Sequence, residues 1–134
     1  MLAAGAFALL AGCTTTVSRA SWVDYSDLQD AYDDSTLVVV GTSGAVVRTT
    51  HLMGVEVPVH TITVEQVLKG DAPDPLEVAR IPDACSAEPL PDPLDTDDRV
   101  ILMLLDVEGV WRLLTPYDGV LEAPAGEPLP FVTD

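Results

Sequence analysis

Residues 99–114, Arg-Val-Ile-Leu-Met-Leu-Leu-Asp-Val-Glu-Gly-Val-Trp-Arg-Leu-Leu, decide the fold of this chain. The run over 100–105 is apolar at every position, which is the pattern of a strand buried on both faces. Residues 106–109 include the turn formers Asp106 and Gly109, and an apolar-rich run resumes over 110–114. The stretch therefore predicts a β-hairpin that anchors the hydrophobic core.

Further short runs rich in β-branched and apolar residues predict the remaining strands, which are 36–48, 55–64, 76–81, 119–123 and 130–132. Gly41 and Gly44 lie where a barrel strand would bend sharply. Val67 and Leu68 fall out of phase with the alternation before them, which predicts a bulge or a strand end near Glu65-Gln66. The last two runs contain or adjoin prolines, so we expect them to form a hairpin at a sheet edge.

One short helix is predicted before the first strand. Ser26-Asp-Leu-Gln29 has the Ser-x-x-Gln form of a capping box, and Ala31 and Tyr32 follow Leu28 at helical spacing through Asp34. Elsewhere 11 prolines and 9 glycines among short apolar runs disfavour long helices. The sequence thus predicts a mainly β fold, a small antiparallel barrel of five to six strands with one short N-terminal helix.

Charge limits the partners of this chain. Its 134 residues include 22 acidic and 6 basic side chains, which gives a net charge of −16. Such a surface has no electrostatic footprint for nucleic acid, and anionic lipid head groups would repel it. Because 48% of the residues are apolar, we expect the chain to fold despite this charge.

The first twelve residues are uncharged and lead directly into Cys13, after which the chain becomes polar. Twelve helical residues span about 18 Å, too short for a bilayer core of about 30 Å, but suited to the apolar region of an export signal. Leu10-Ala11-Gly12-Cys13 resembles the lipobox of bacterial lipoproteins, in which a peptidase cuts before a cysteine that carries a diacylglyceryl group. The positively charged segment of such signals does not precede this run, so we expect either that the true start lies upstream of Met1 or that the sequence is trimmed.

This resemblance implies a domain organisation and a cellular location. Residues 1–12 would be a signal peptide, 13–21 the lipidated cysteine with a short tether, and 22–134 a single β-barrel domain. The protein would then be anchored to the cell membrane through the lipid on Cys13, on the extracytoplasmic side. The alternative is that residues 1–12 form a buried apolar helix. If Cys13 is acylated, Cys85 is left as a single thiol, which we expect to be buried and inert.

The strand order and the hydrophobic pattern resemble those of the small extracytoplasmic barrels of the netrin-like class. The segments that carry the pattern are 37–42, 61–70, 99–104 and 117–122. The resemblance implies an OB-fold-like barrel of five strands, open at one side. Inhibitory members of that class chelate a metalloproteinase zinc through a free N-terminal cysteine amine and nearby disulfides. Here Cys13 would be acylated and no partner cysteine follows it, so the fold is implied and the inhibition is not.

The residues offer little for catalysis. A turn at Met53-Gly54 would place His60 opposite Val47, about 13 Å along the ladder from His51, too far for the two histidines to share a zinc ion. We expect both to be solvated by default, His51 in a turn and His60 in a strand with its ring at the surface or hydrogen-bonded. Gly41-Thr-Ser-Gly-Ala45 lacks the second glycine of a nucleophile elbow. We therefore predict that the protein is not an enzyme.

One charged cluster remains, and it lies in the proline-rich loop over 82–98. Its carboxylates could ligate calcium, which takes six to eight oxygen ligands from a flexible loop. The candidate ligands are Asp92, Asp95, Asp97 and Asp98, with Asp83 and Glu88 upstream. The alternative is a solvated turn that leads into the buried strand.

Three hypotheses about function follow from these observations. The first is a lipid-anchored module that binds an envelope protein or a small ligand, without a cofactor beyond its lipid. The second is a calcium-responsive structural lipoprotein of the envelope, which uses the loop over 92–98. The third is an enzyme accessory or hydrolase without a recognisable motif.

Overall fold

The computed structural model describes residues 25–52, 54–80, 91–115 and 118–133. Within them, one helix and six strands follow each other along the chain: α1 (Leu28–Asp34), β1 (Leu37–Leu52), β2 (Val55–Lys69), β3 (Leu76–Ala79), β4 (Arg99–Val107), β5 (Val110–Leu113) and β6 (Val120–Glu122). The mainly β prediction is confirmed. The signal peptide, tether and Cys13, and the loop segment with Asp83, Cys85 and Glu88, lie outside the described residues, as does Ile81.

Five strands close into a barrel in the order β1-β2-β3-β5-β4, with β4 pairing back to β1, and β6 adds a sixth strand beside β4. The neighbours pair antiparallel except β3 and β5, which run parallel. This parallel pair departs from the all-antiparallel expectation because β3 and β5 are separated by a long connection that includes β4, which allows the same direction. Pairing of β1 with β4 also closes the side that the netrin-like resemblance leaves open.

Side chains fill the barrel. The interior cluster consists of residues at most 5% exposed, namely Leu37, Val39, Ile62, Leu76, Val78, Leu94, Val100, Leu102, Leu104 and Leu113. The central strand β4 is buried on both faces over its first half, as its continuous apolar run predicts. The barrel is therefore a packed core and not a container for a ligand.

The outer face of β1 and β4 is covered by α1 and by the C-terminal segment. Tyr32 of α1 is 1% exposed, and its ring stacks on that of Phe131 with the centroids 4.7 Å apart. Residues 130–132 thus form a cover and not the strand that was predicted, since Pro128 and Pro130 lack the N–H groups of a ladder. The helix is capped by Asp27, whose carboxylate accepts from the N–H of Gln29 at 2.8 Å, and not by Ser26.

The long hairpin of β1 and β2 exceeds its predicted bounds. β1 continues to Leu52, and β2 continues through the predicted bulge, where the register shifts between Val40↔Gln66 and Gly41↔Val64. The bulge at Glu65 is confirmed, while the strand does not end there. At Gly41 a Cβ atom would collide with the Thr63 carbonyl, so the close approach of the two strands requires glycine.

Candidate functional site

The acidic loop over 91–98 closes one end of the barrel. Its Leu94 is 1% exposed and belongs to the interior cluster. Asp92 shapes the turn, since its Oδ1 accepts from the N–H of Leu94 at 2.9 Å and its carbonyl accepts from the N–H of Asp95 at 3.0 Å. The loop is therefore a plug held by burial of a leucine, and not only a solvated lead into β4.

His60 of β2 fixes this plug to the hairpin. Its ring is buried, with Nε2 2.8 Å from Oδ2 of Asp92 and Nδ1 2.8 Å from the carbonyl of Gly44. The default expectation of a solvated histidine is wrong for His60, while the hydrogen-bonded alternative is correct. His51 is exposed, but it lies in β1 opposite Glu56 and not in a turn. A bulge in β1 also places His60 opposite Val46 and not Val47.

The proton positions around His60 limit its chemistry. A carbonyl only accepts, so Nδ1 carries the proton that it donates to Gly44. Ser43 Oγ lies 3.4 Å from the same nitrogen, which has no lone pair left to take the serine proton. Although Ser43, His60 and Asp92 lie in a row, the geometry is that of a structural clamp, in which a buried ring joins β1, β2 and the loop.

The carboxylates of the loop have different environments. Asp92 is engaged by His60 and Leu94, while Asp95, Asp97 and Asp98 are exposed. In the described part of the chain, no three His, Cys, Asp or Glu side chains form a group that could hold a metal ion. Calcium binding by this loop stays a prediction, and it would have to compete with the His60 contact.

Next to the clamp, strand β1 leaves its neighbour β4. The β1–β4 ladder ends at the pair Thr42↔Arg99, whereas pairing with β2 continues to Leu52↔Val55. Residues 43–52, called the β1 edge below, therefore have a strand neighbour on one side only among the described residues. At about 3.3 Å per residue this edge is roughly 33 Å long.

The β1 edge is exposed and partly apolar. Val46 and Val47 are each 50% exposed, and both fall in the part of β1 where the register shifts, between Ser43 and Arg48. From Arg48 to Leu52 the pairing with β2 is regular, so five consecutive residues present an undistorted strand. Bulges and charges commonly protect such edges from pairing with other chains, and here they leave a short regular stretch.

Charges near the β1 edge are mostly negative. Asp97 and Asp98 precede Arg99, the partner of Thr42, and so lie where the edge begins. The guanidinium of Arg48 is paired with Glu77 at 3.0 Å. Because Glu77 offsets the charge of Arg48, the exposed carboxylates of the loop are the dominant charge at this end of the barrel.

The shifted pKa values lie in another place, under helix α1. Burial and a 2.8 Å hydrogen bond from its hydroxyl to Asp34 raise the pKa of Tyr25 to about 12. Burial lowers the pKa of Arg112, which donates to the carbonyls of Leu113 and Leu114 at 3.0 and 2.8 Å. Tyr25 bonds to the last residue of α1, and Arg112 bonds to backbone carbonyls at the end of β5, so we interpret these shifts as consequences of packing.

A surface groove of about 540 Å³ lies between residues 61–67 of β2 and residues 72–76, which lead into β3. It is lined by threonine, proline and aliphatic residues, and Asp74 is the one ionisable side chain in the lining. It offers space for a small ligand but no convergent polar groups that would select one.

The fold and the site together define a small closed β-barrel with a filled interior, a plugged end and an open strand edge. Comparison with protein-family models, with curated proteins and with solved structures finds no match for this chain. In the described ranges, no helix combines the length and apolar character needed to cross a bilayer.

Sequence reasoning identified Asp92 and His60 separately but not as a pair. They are 32 positions apart, and only closure of the barrel end brings them together. The β1 edge was also missed, because a paired strand and an edge strand have the same β-branched composition. One sequence feature could have indicated this edge. Asp97 and Asp98 mark the start of the apolar run of β4, and β1 cannot pair with β4 beyond that start.

Proposed function

We propose that this protein is a lipid-anchored, extracytoplasmic binding module, an OB-fold-like barrel that engages another envelope protein through its outer surface. The observation that carries the binding part is the contrast between a filled barrel interior and the exposed β1 edge. A packed interior leaves binding to the surface, and an unpaired strand edge with exposed valines is a common surface for protein recognition.

The anchoring part rests on the lipobox at Leu10-Ala11-Gly12-Cys13. A tether over 13–21 would extend at most about 30 Å, so the barrel would lie close to the bilayer, where its partners would be envelope proteins. The OB-fold-like part is supported by a five-stranded closed order with one helix beside it. The net charge of −16 would repel the phosphates of nucleic acid.

The first experiment measures the intact mass of the membrane-extracted protein beside a Cys13→Ser variant, with membrane and soluble fractions compared. We expect loss of residues 1–12, an added diacylglyceryl group, and an unprocessed variant. A full-length, unmodified protein in the soluble fraction would refute the proposed lipid anchor and membrane location.

The second experiment tests binding in intact envelopes. A photo-crosslinking side chain is introduced in turn at Val47, Val67 and Val132, which are 50%, 43% and 74% exposed and lie on different parts of the surface. We expect at least one position to give a reproducible adduct with one protein. The absence of adducts from all three positions would contradict the binding module.

A further inference from the structure

We infer that the β1 edge accepts an extended, basic segment of the partner protein as an additional β-strand. This inference rests on the proposed binding function and specifies its partner. The site is residues 43–52 of β1, and the recognised chemistry is a strand-forming peptide with lysine or arginine and apolar side chains.

The backbone supplies the first argument. In a strand, alternate residues direct their N–H and C=O groups to opposite sides, so half of those in residues 48–52 point away from β2. No backbone hydrogen bond from that side to another described residue is formed beyond Thr42. A five-residue regular stretch equals the usual length of a strand, and an added chain would satisfy these groups.

Side chains supply the second argument. Val46 and Val47 are both half exposed, and both lie where a bulge shifts the register of β1. A strand added along this part of the edge would therefore have two neighbouring valines to cover. Such exposed branched side chains at an unpaired edge favour association, and burying both would bring a hydrophobic gain.

Charge decides the kind of partner. Asp97 and Asp98 are exposed at the start of the edge, Asp95 is exposed in the same loop, and Arg48 is neutralised by Glu77. A second copy of this chain would bring a net charge of −16 against an equal charge, which opposes pairing of two β1 edges. A basic segment fits the same surface with attraction and faster association.

The test uses the full chain and synthetic peptides of ten alternating lysine and valine residues. We expect the lysine–valine peptide to slow amide hydrogen exchange in residues 43–52, and its affinity to fall about tenfold or more as salt rises from 0.05 to 0.5 M. A peptide with N-methylated amides, which cannot form the ladder, and a glutamate–valine peptide are the controls. Equal binding of either control, or protection at other residues only, overturns the inference.

Matched variants locate the site independently. Val47→Lys adds repulsion and should weaken lysine–valine peptide binding about tenfold, while Val67→Lys on β2, at a valine of similar exposure (43% against 50%), should leave it unchanged. Circular dichroism verifies that both variants are folded. If the two substitutions weaken binding equally, the peptide is attracted by net charge alone and the β1 edge is not its site.

Two further outcomes separate this inference from the function on which it rests. A partner crosslinked in envelopes from position 67 or 132 but never from 47 leaves the binding module intact and refutes the β1 edge as its site. Self-association with protection of residues 43–52 in the absence of peptide would identify a second copy as the occupant, which refutes the basic partner.

Discussion

The two halves of strand β1 have similar sequences and opposite environments. Residues 37–41 are buried, with β2 on one edge and β4 on the other, whereas residues 44–49 are exposed and, within the described part of the chain, have only β2 beside them. Both halves contain adjacent valines and one glycine. The difference comes from β4, which begins only at Arg99 because the preceding loop turns into the barrel end. Burial in this fold is thus set by which neighbour a strand finds, and not by its own composition.

The largest effect on stability is expected from replacing Gly41, the last residue of the buried half, with alanine. In Gly41→Ala the new methyl group would collide with the Thr63 carbonyl of β2, and backbone cannot yield as a side chain can. We expect a loss of about 3 kcal/mol in the free energy of unfolding, measured by urea denaturation.

Gly44→Ala in the exposed half is the control for this prediction. There the nearest atom is Cγ2 of Thr61, at 2.9 Å, which can move by rotation of the threonine. We expect less than half of the loss seen for Gly41→Ala. Equal losses would mean that the two halves are equally constrained.

The second prediction concerns the clamp between the plug and the start of the β1 edge. His60→Ala removes both hydrogen bonds of a buried ring and leaves Asp92 without this partner, which should lower stability by about 2 to 3 kcal/mol. Amide exchange at Gly44 and Leu94 should also accelerate. His51→Ala, at an exposed histidine of the same hairpin, should change stability by less than about 0.5 kcal/mol.

The outcome that would contradict the clamp is specific. If His60→Ala and His51→Ala destabilise equally little, the loop is held by Leu94 alone and the pair with Asp92 contributes nothing. An Asp92→Asn variant sharpens the test, since it keeps the shape of the side chain and should reproduce part of the loss.

A third prediction compares two valines of one strand. Val39 is fully buried in the interior cluster, so Val39→Ala should cost about 2 kcal/mol, from two lost carbon atoms and a cavity. Val47→Ala, at 50% exposure, should change stability by less than about 0.5 kcal/mol. Thermal and urea unfolding of the two variants measure the difference, and comparable losses would place Val47 in an unrecognised core.

These effects also mark what the sequence can predict. The run over 100–105 and the bulge near Glu65 were predictable because each follows from local pattern and chain geometry. The C-terminal cover was mistaken for a strand because Phe131 is apolar in either role, and only its stacking on Tyr32 decides. The clamp of His60 with Asp92 and the β1 edge depend on how distant segments meet, which local pattern does not encode.

The smallest effect comes from Tyr25, which packs over the cluster that covers the buried half of β1. Its pKa of about 12 lies above the ordinary value of 10.0, because burial and Asp34 disfavour the phenolate. Since the folded state retains the proton longer than the unfolded state, this contribution to stability is complete below pH 10 and is lost as the pH rises towards 12. Tyr25→Phe should therefore flatten the decline in unfolding free energy between pH 10 and 12, and Asp34→Asn should flatten it partly. A decline of unchanged steepness in Tyr25→Phe would show that other groups cause it, and that the cover over the buried half of β1 tolerates ionisation at its rim.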